Sequence, residues 1–218
     1  MLLNGLIASV NMKRGTAYTW GSTPEERLMP FPCDQYIDGS DEAYFRAIDV
    51  NAPTEILFRW LCQLKVGSYS YDWLDHLERM FFNVRESIPT HPSPKQLLPG
   101  GENLALDQSV MGIFKLVEFE QNRHLTIVLD DKRAISIFGE IAASYVLFPI
   151  APNTCRLILK GHVRYPRNLL GASMRSCLPW ADLVMMRQQL LRLKHLAENS
   201  INCHRQEKMS IEQGNFSE

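Results

Sequence analysis

The residues best suited to chemistry are crowded into one stretch, VGSYSYDWLDHL, from Val66 to Leu77. Tyr69, Tyr71, Asp72 and Trp73 follow closely on Gly67, and His76 lies one helical turn beyond Asp72. A phenol joins a broad apolar face to a single hydrogen-bonding oxygen, so Tyr69 and Tyr71 suit the rim of a pocket for an apolar ligand. Tyr71, Asp72 and His76 are also the types that move protons on an enolisable ligand, provided they converge on one site. A structural role competes for the same residues. Ser70 can cap a helix over SYDWLDHLERMF, Asp72 and Asp75 favour its positive end, and Trp73 is spaced for burial with Leu74, Leu77 and Phe81.

Nucleophilic and metal chemistry find little support elsewhere. No G-x-S-x-G, H-E-x-x-H or G-x-G-x-x-G occurs. His76, His91, His124, His162, His195 and His204 share no motif, and Cys203 beside His204 lacks a paired ligand spacing, so no metal or cofactor is expected. Cys33, Cys62, Cys155, Cys177 and Cys203 are odd in number and scattered, which predicts reduced thiols in a cytoplasmic protein. The net charge of -1, without a basic stripe, argues against a nucleic-acid partner. The opening MLLNGLIASV is too short to span a bilayer and lacks the basic flank of a secretory signal, so stable membrane insertion is not expected.

The chain of 218 residues, 45% hydrophobic, suits one domain with extensions. Residues 1–42 read as an irregular arm with one helical turn at TPEERL, where Thr23 caps and Pro24 takes the first position. The arm's Leu28, Met29, Phe31 and Tyr36 either bind a partner or, the favoured reading, pack on their own domain. AYFRAIDV reads as a strand and NAPTEILFRWLCQL as a helix opened by Pro53. A proline-rich loop over 85–110 follows. Then come β-rich runs: GIFKLVEFE, HLTIVLD, AISIFG, IAASYVLFPI and CRLILKGHVRY. In the last run Leu157, Leu159, Gly161, Val163 and Tyr165 share one face. Arg156, Lys160, His162 and Arg164 share the other, broken by Ile158, which predicts a half-buried strand with a solvent-facing back. A long amphipathic helix over Pro179 to Ala197 ends the domain, followed by a polar, frayed tail over 198–218.

This order of elements resembles the helix-grip fold of the START-like superfamily, which includes polyketide cyclase/dehydrase-like and lipid-transfer proteins. AIDVNAPTEILFRWLCQL resembles that family's opening strand and helix. YSYDWLDHL, WGSTPEERLMPFPCDQYI and LILKGHVRYP resemble segments of an uncharacterised bacterial branch. The resemblance covers Trp20 to Ala197. It implies an α+β domain over 43–197, with a curved antiparallel sheet wrapped around the C-terminal helix and two short helices after the first strand. It also implies a cavity between sheet and helix that takes a small apolar ligand such as a lipid, polyketide or isoprenoid. The residues expected to meet that ligand are Tyr69, Tyr71, Trp73, Tyr145, Gly161, Val163 and Met186. The alternative is a cyclase or dehydratase working on a polyketide-like substrate in the same cavity.

Overall fold

The structure is a computed structural model, described here for residues 15–70 and 93–214, with side chains of the last helix described as far as Ile201. Six strands form one antiparallel sheet in the order β1-β6-β5-β4-β3-β2. They are β1 (Glu42–Val50), β2 (Ser109–Val110), β3 (Phe114–Glu120), β4 (His124–Leu129), β5 (Glu140–Ala151) and β6 (Thr154–Arg164). The α-helices bounded within the described residues are α1 (Pro24–Arg27), α2 (Thr54–Cys62), α3 (Lys132–Phe138) and α4 (Leu169–Gly214). The sheet curves around the long C-terminal α4, which is the helix-grip arrangement.

Alternation along the strands builds the core. Leu157 and Leu159 of β6, Tyr145 and Leu147 of β5, and Leu125 and Ile127 of β4 bury against Leu190, Leu193 and Ala197 of α4. The apolar side of α2, Leu57, Trp60 and Leu61, closes the same cluster. Burial of a side chain of this size contributes about 1.5–3 kcal/mol, so this cluster sets the position of α4 on the sheet.

Two elements differ from what periodicity predicts. AISIFG is not a strand. Its residues lie in α3, started by Asp131, whose carboxylate accepts from Ala134 N at 2.8 Å, and ended by Gly139 at φ +89°. A short apolar run fits either period, and here the cap decides. The last helix does not begin at Pro179. Asn168 starts it ten residues earlier, its side chain accepting from Gly171 N at 2.8 Å, and Pro179 lies inside it. At the other end α4 runs past Ala197 to Gly214.

The back of β6 is not solvent-facing either. The N-terminal arm covers it. Trp20 O accepts from Ala47 N of the edge strand β1 at 3.0 Å, and Gly21 then turns at φ +76°. A β-carbon on Gly21 would lie 2.0 Å from Ala47 O, so only glycine fits the turn. From there the arm crosses the outer face, where Phe31, Cys33 and Ile37 bury against Phe45, Ala47, Ala142 and Ile158. Ile158, the one apolar break in the polar side of β6, is an anchor of this cluster. The arm therefore packs on its own domain, through Phe31 and Met29, while Leu28 points to solvent. α1 forms as its sequence predicts, with Thr23 and Glu26 making reciprocal capping hydrogen bonds.

Each basic side chain on that face of β6 meets the arm. Arg156 holds Glu26 at 2.8 and 3.0 Å and donates to Gly21 O at 2.6 Å. Lys160 Nζ lies 2.6 Å from Asp34 Oδ1 and stands over the rings of Phe31 and Phe45. His162 lies between Asp34 at 2.8 Å and Ser40 at 2.8 Å. Arg164 donates to Asp38 O at 3.0 Å.

Candidate functional site

The expected site residues that are described, Tyr69, Tyr145, Gly161, Val163 and Met186, are not among those lining the cleft found between α2 and α4. Tyr69 is a core residue rather than a rim residue. It is fully buried at φ +54°, edge-on to Trp60 with ring centroids 6.2 Å apart. Its hydroxyl has no hydrogen-bond partner among the described residues, and burial pushes the phenol up to about 12. Tyr145 is buried between sheet and helix, with its hydroxyl donating to Gln189 Oε1 at 2.7 Å. Gln189 in turn donates to Ser68 O at 2.5 Å, so this pair ties α4 to the chain before Tyr69. Val163 packs with Tyr44 and Tyr165, and Met186 is half-buried against the main core. Tyr71, Asp72, Trp73 and His76, with the helix expected over them, lie outside the described residues.

Gly161 is buried on the inner face, but nothing crowds it. A β-carbon there would find Ala143 Cβ at 3.9 Å and Ala142 O at 4.0 Å, both ordinary contacts. There is room for a methyl group at this position. Around this point the inner face carries paired polar groups, although Arg46 Nε has no hydrogen-bond partner among the described residues. Arg46, fully buried, donates to Asp182 at 2.6 Å, to Ala17 O at 2.7 Å and to Phe45 O at 2.8 Å. Tyr18, Tyr44 and Tyr165 turn their hydroxyls on Glu42, at 3.2, 3.2 and 2.7 Å. Burial raises the Tyr44 and Tyr165 phenols well above their ordinary value, so both stay protonated and serve as donors to the carboxylate.

A cavity of about 490 Å³ lies elsewhere, between α2, the loop at 95–97 and α4. The residues of α4 that line it, from Arg192 to Ser200, lie largely on the side of the helix turned away from Leu190, Leu193 and Ala197. Its apolar wall is Ile56, Trp60, Leu97 and Leu196. Trp60 is fixed as part of that wall by its indole N–H, which donates to Ser200 Oγ at 3.1 Å. The volume falls within the range usual for small-molecule sites, and the mixed lining of apolar walls with a few polar groups is their usual composition. Four basic residues, Arg59, Lys95, Arg192 and His195, edge the same cleft. In sequence these lie on three distant segments, and no local spacing links them. Trp60 and Leu57 were legible as an apolar helix face, but not as the wall of a cleft.

One further cluster has ligand-type atoms close together. Cys33, Asp34 and His162 bring a thiol, a carboxylate and an imidazole within 4.8 Å. The Lys160 ammonium already sits on Asp34, and burial pushes the Cys33 thiol up to about 11, the reverse of what a bound cation does. The group serves as the clasp of the arm. Among the described residues no helix is long and apolar enough to cross a membrane.

No family model matches the chain, and neither does any curated protein. Solved structures similar to it include protein MLL2253 from Mesorhizobium loti, at 13% identity and TM-score 0.42, covering 72% of this chain and 98% of that one. The Zhui aromatase/cyclase from Streptomyces sp. R1128 is similar at 13% identity and TM-score 0.44, covering 73% and 95%. TTHA0849 from Thermus thermophilus is similar at 10% identity and TM-score 0.42, covering 72% and 98%.

Proposed function

We propose that this protein binds a small hydrophobic ligand, lipid-, polyketide- or isoprenoid-like, and that it does so in the cleft between α2 and α4. The observation that carries the reading is the cleft of about 490 Å³ with Ile56, Trp60, Leu97 and Leu196 as its wall. This site differs from the sheet-helix interior expected from the sequence, where Tyr145, Leu190 and Leu193 are buried between β5 and α4. Each methylene removed from water contributes about 0.8 kcal/mol, so a medium-length chain on such a wall binds without many polar contacts. Trp60 is 2% exposed and held by Ser200, so it backs the wall, while the half-buried Ile56, Leu97 and Leu196 carry the wall's exposed area.

The test is uptake of a neutral dye, Nile red, together with solvent extraction of the purified protein. Dye fluorescence rises with the parent protein and falls when Leu97→Glu places a charge on the loop side of the wall. A parent protein that takes up no dye and yields no extractable ligand would overturn the reading. The enzymatic alternative requires titratable groups facing an open space. The residues named for it, Tyr71, Asp72 and His76, lie outside the described residues, while the Tyr18, Tyr44 and Tyr165 hydroxyls face Glu42 and Arg46 faces Asp182.

A further inference from the structure

Among the described residues lining the cleft, the ionisable side chains are all basic types. Arg59 comes from α2, Lys95 from the loop, and Arg192 and His195 from successive turns of α4, and no Asp or Glu is among the described lining residues. The chain as a whole has 23 Lys and Arg against 24 Asp and Glu, so a lining of one sign is not a reflection of composition. Nor does the cleft merely store bases that are used up elsewhere. Lys95 is exposed and makes no hydrogen bond or ion pair among the described residues. Arg59 meets Glu102 through Nε alone, at 2.6 Å, and its two terminal nitrogens make no hydrogen bond among the described residues. Those two nitrogens are the fork that takes a carboxylate with two parallel bonds. At His195 the Asn199 amide lies 2.9 Å from Nε2. An amide nitrogen is the donor of that pair, so Nε2 accepts and Nδ1 carries the ring proton.

We infer that the cleft selects an anionic amphiphile, an acyl chain with a carboxylate head, the chain lying on Ile56, Trp60, Leu97 and Leu196 and the head meeting Arg59 and Lys95. The inference rests on the hydrophobic-ligand reading above and adds the chemical class of the ligand. A cation or a neutral alcohol of the same chain length has the same wall but no partner for these bases. Attraction between exposed charges is screened by salt, so selectivity for the acid is strongest at low ionic strength.

The experiment is competition of decanoate, decanol and decyltrimethylammonium against Nile red, below micelle-forming concentrations, at low and high salt. Decanoate is expected to bind roughly ten-fold tighter than decanol at low salt, equivalent to about 1.4 kcal/mol. That advantage narrows as salt is added, and decyltrimethylammonium binds weakest. The double variant Arg59→Gln with Lys95→Gln should bring decanoate down to decanol, with dye uptake retained. Equal affinity of the parent protein for acid and alcohol would overturn the anionic selectivity while leaving the hydrophobic cleft standing. Preference for the cation would overturn it as well. Failure of every ligand and of the dye would instead remove the reading on which the inference rests.

Discussion

Two sets of basic residues on this molecule have opposite fates. On the outer face of β6, Arg156, Lys160, His162 and Arg164 are each met by the arm: by Glu26 and Gly21 O, by Asp34, by Asp34 again, and by Asp38 O. Around the cleft, Arg59 has Glu102 as a partner through one nitrogen, and Lys95 has none among the described residues. The first set is neutralised from within. The chain supplies the anions itself, partly buries them, and gains a fixed arm. The second set leaves positive charge beside an apolar wall, where an outside anion is the natural complement. Similar residue types therefore do structural work in one place and, in the function proposed, recognition in the other. What separates them is how fully the described residues occupy their donors.

Breaking the arm tests the first half, and the largest effect belongs to Gly21. In Gly21→Val the side chain would collide with Ala47 O and the turn would hold a β-branched residue at positive φ. A loss of about 2–4 kcal/mol in denaturant unfolding is expected. Cys33 serves as a second reporter. Its thiol is buried and pushed up to about 11, so it resists alkylation at pH 8 in the parent protein and becomes reactive once the arm lifts. Unchanged stability with Cys33 still protected would show that the arm does not depend on this turn.

Asp34 comes next. Burial alone would raise its carboxyl, but hydrogen bonds from Lys160, the Phe31 amide and His162 outweigh that and hold it below the ordinary value. A carboxyl whose folded value is depressed contributes stability above its unfolded value, near 3.8, and that contribution is lost as pH falls through the folded value. The parent protein should therefore lose stability on acidification below about pH 4. Asp34→Asn should cost about 1–2 kcal/mol near neutral pH, a modest figure because the carboxylate is partly exposed, and should flatten this part of the acid limb. A variant as acid-sensitive as its parent would show that Asp34 does not supply that contribution.

The smallest effect is expected at the cleft. Lys95→Gln removes a charge that nothing in the described structure uses, so the melting temperature should stay that of the parent while the advantage of decanoate over decanol falls. A marked fall in melting temperature would give Lys95 a structural role and erase the contrast between the two sets.

The parts of this structure legible in sequence are those governed by near neighbours. Alternation exposed the inner face of β6, and the Thr23-Pro24-Glu26 pattern exposed α1. Pro53 marked the start of α2 to within a residue. AISIFG misled because a short β-branched run carries no period of its own, while Asp131 before it and Gly139 after it held the signal for a helix. Pro179 misled for the opposite reason, since proline favours a helix start yet here lies inside one. Pairing of Asp34 with Lys160 spans 126 positions in the chain, so polar residues alternating on β6 looked like residues facing water. Ile158 was the local hint that something covers that face. The cleft left no trace at all, because Arg59, Lys95 and Arg192 each read as an ordinary surface base until the fold brings them to one edge.

Photolabelling locates the ligand directly. A decanoate carrying a diazirine on its chain, irradiated with the parent protein and mapped by peptide mass spectrometry, is predicted to leave adducts on residues 56–60, 95–97 and 192–200. Excess decanoate should abolish them. Adducts confined to the inner face of the sheet, around Tyr145, Gly161 and Val163, would contradict the cleft and return the site to the space between sheet and helix.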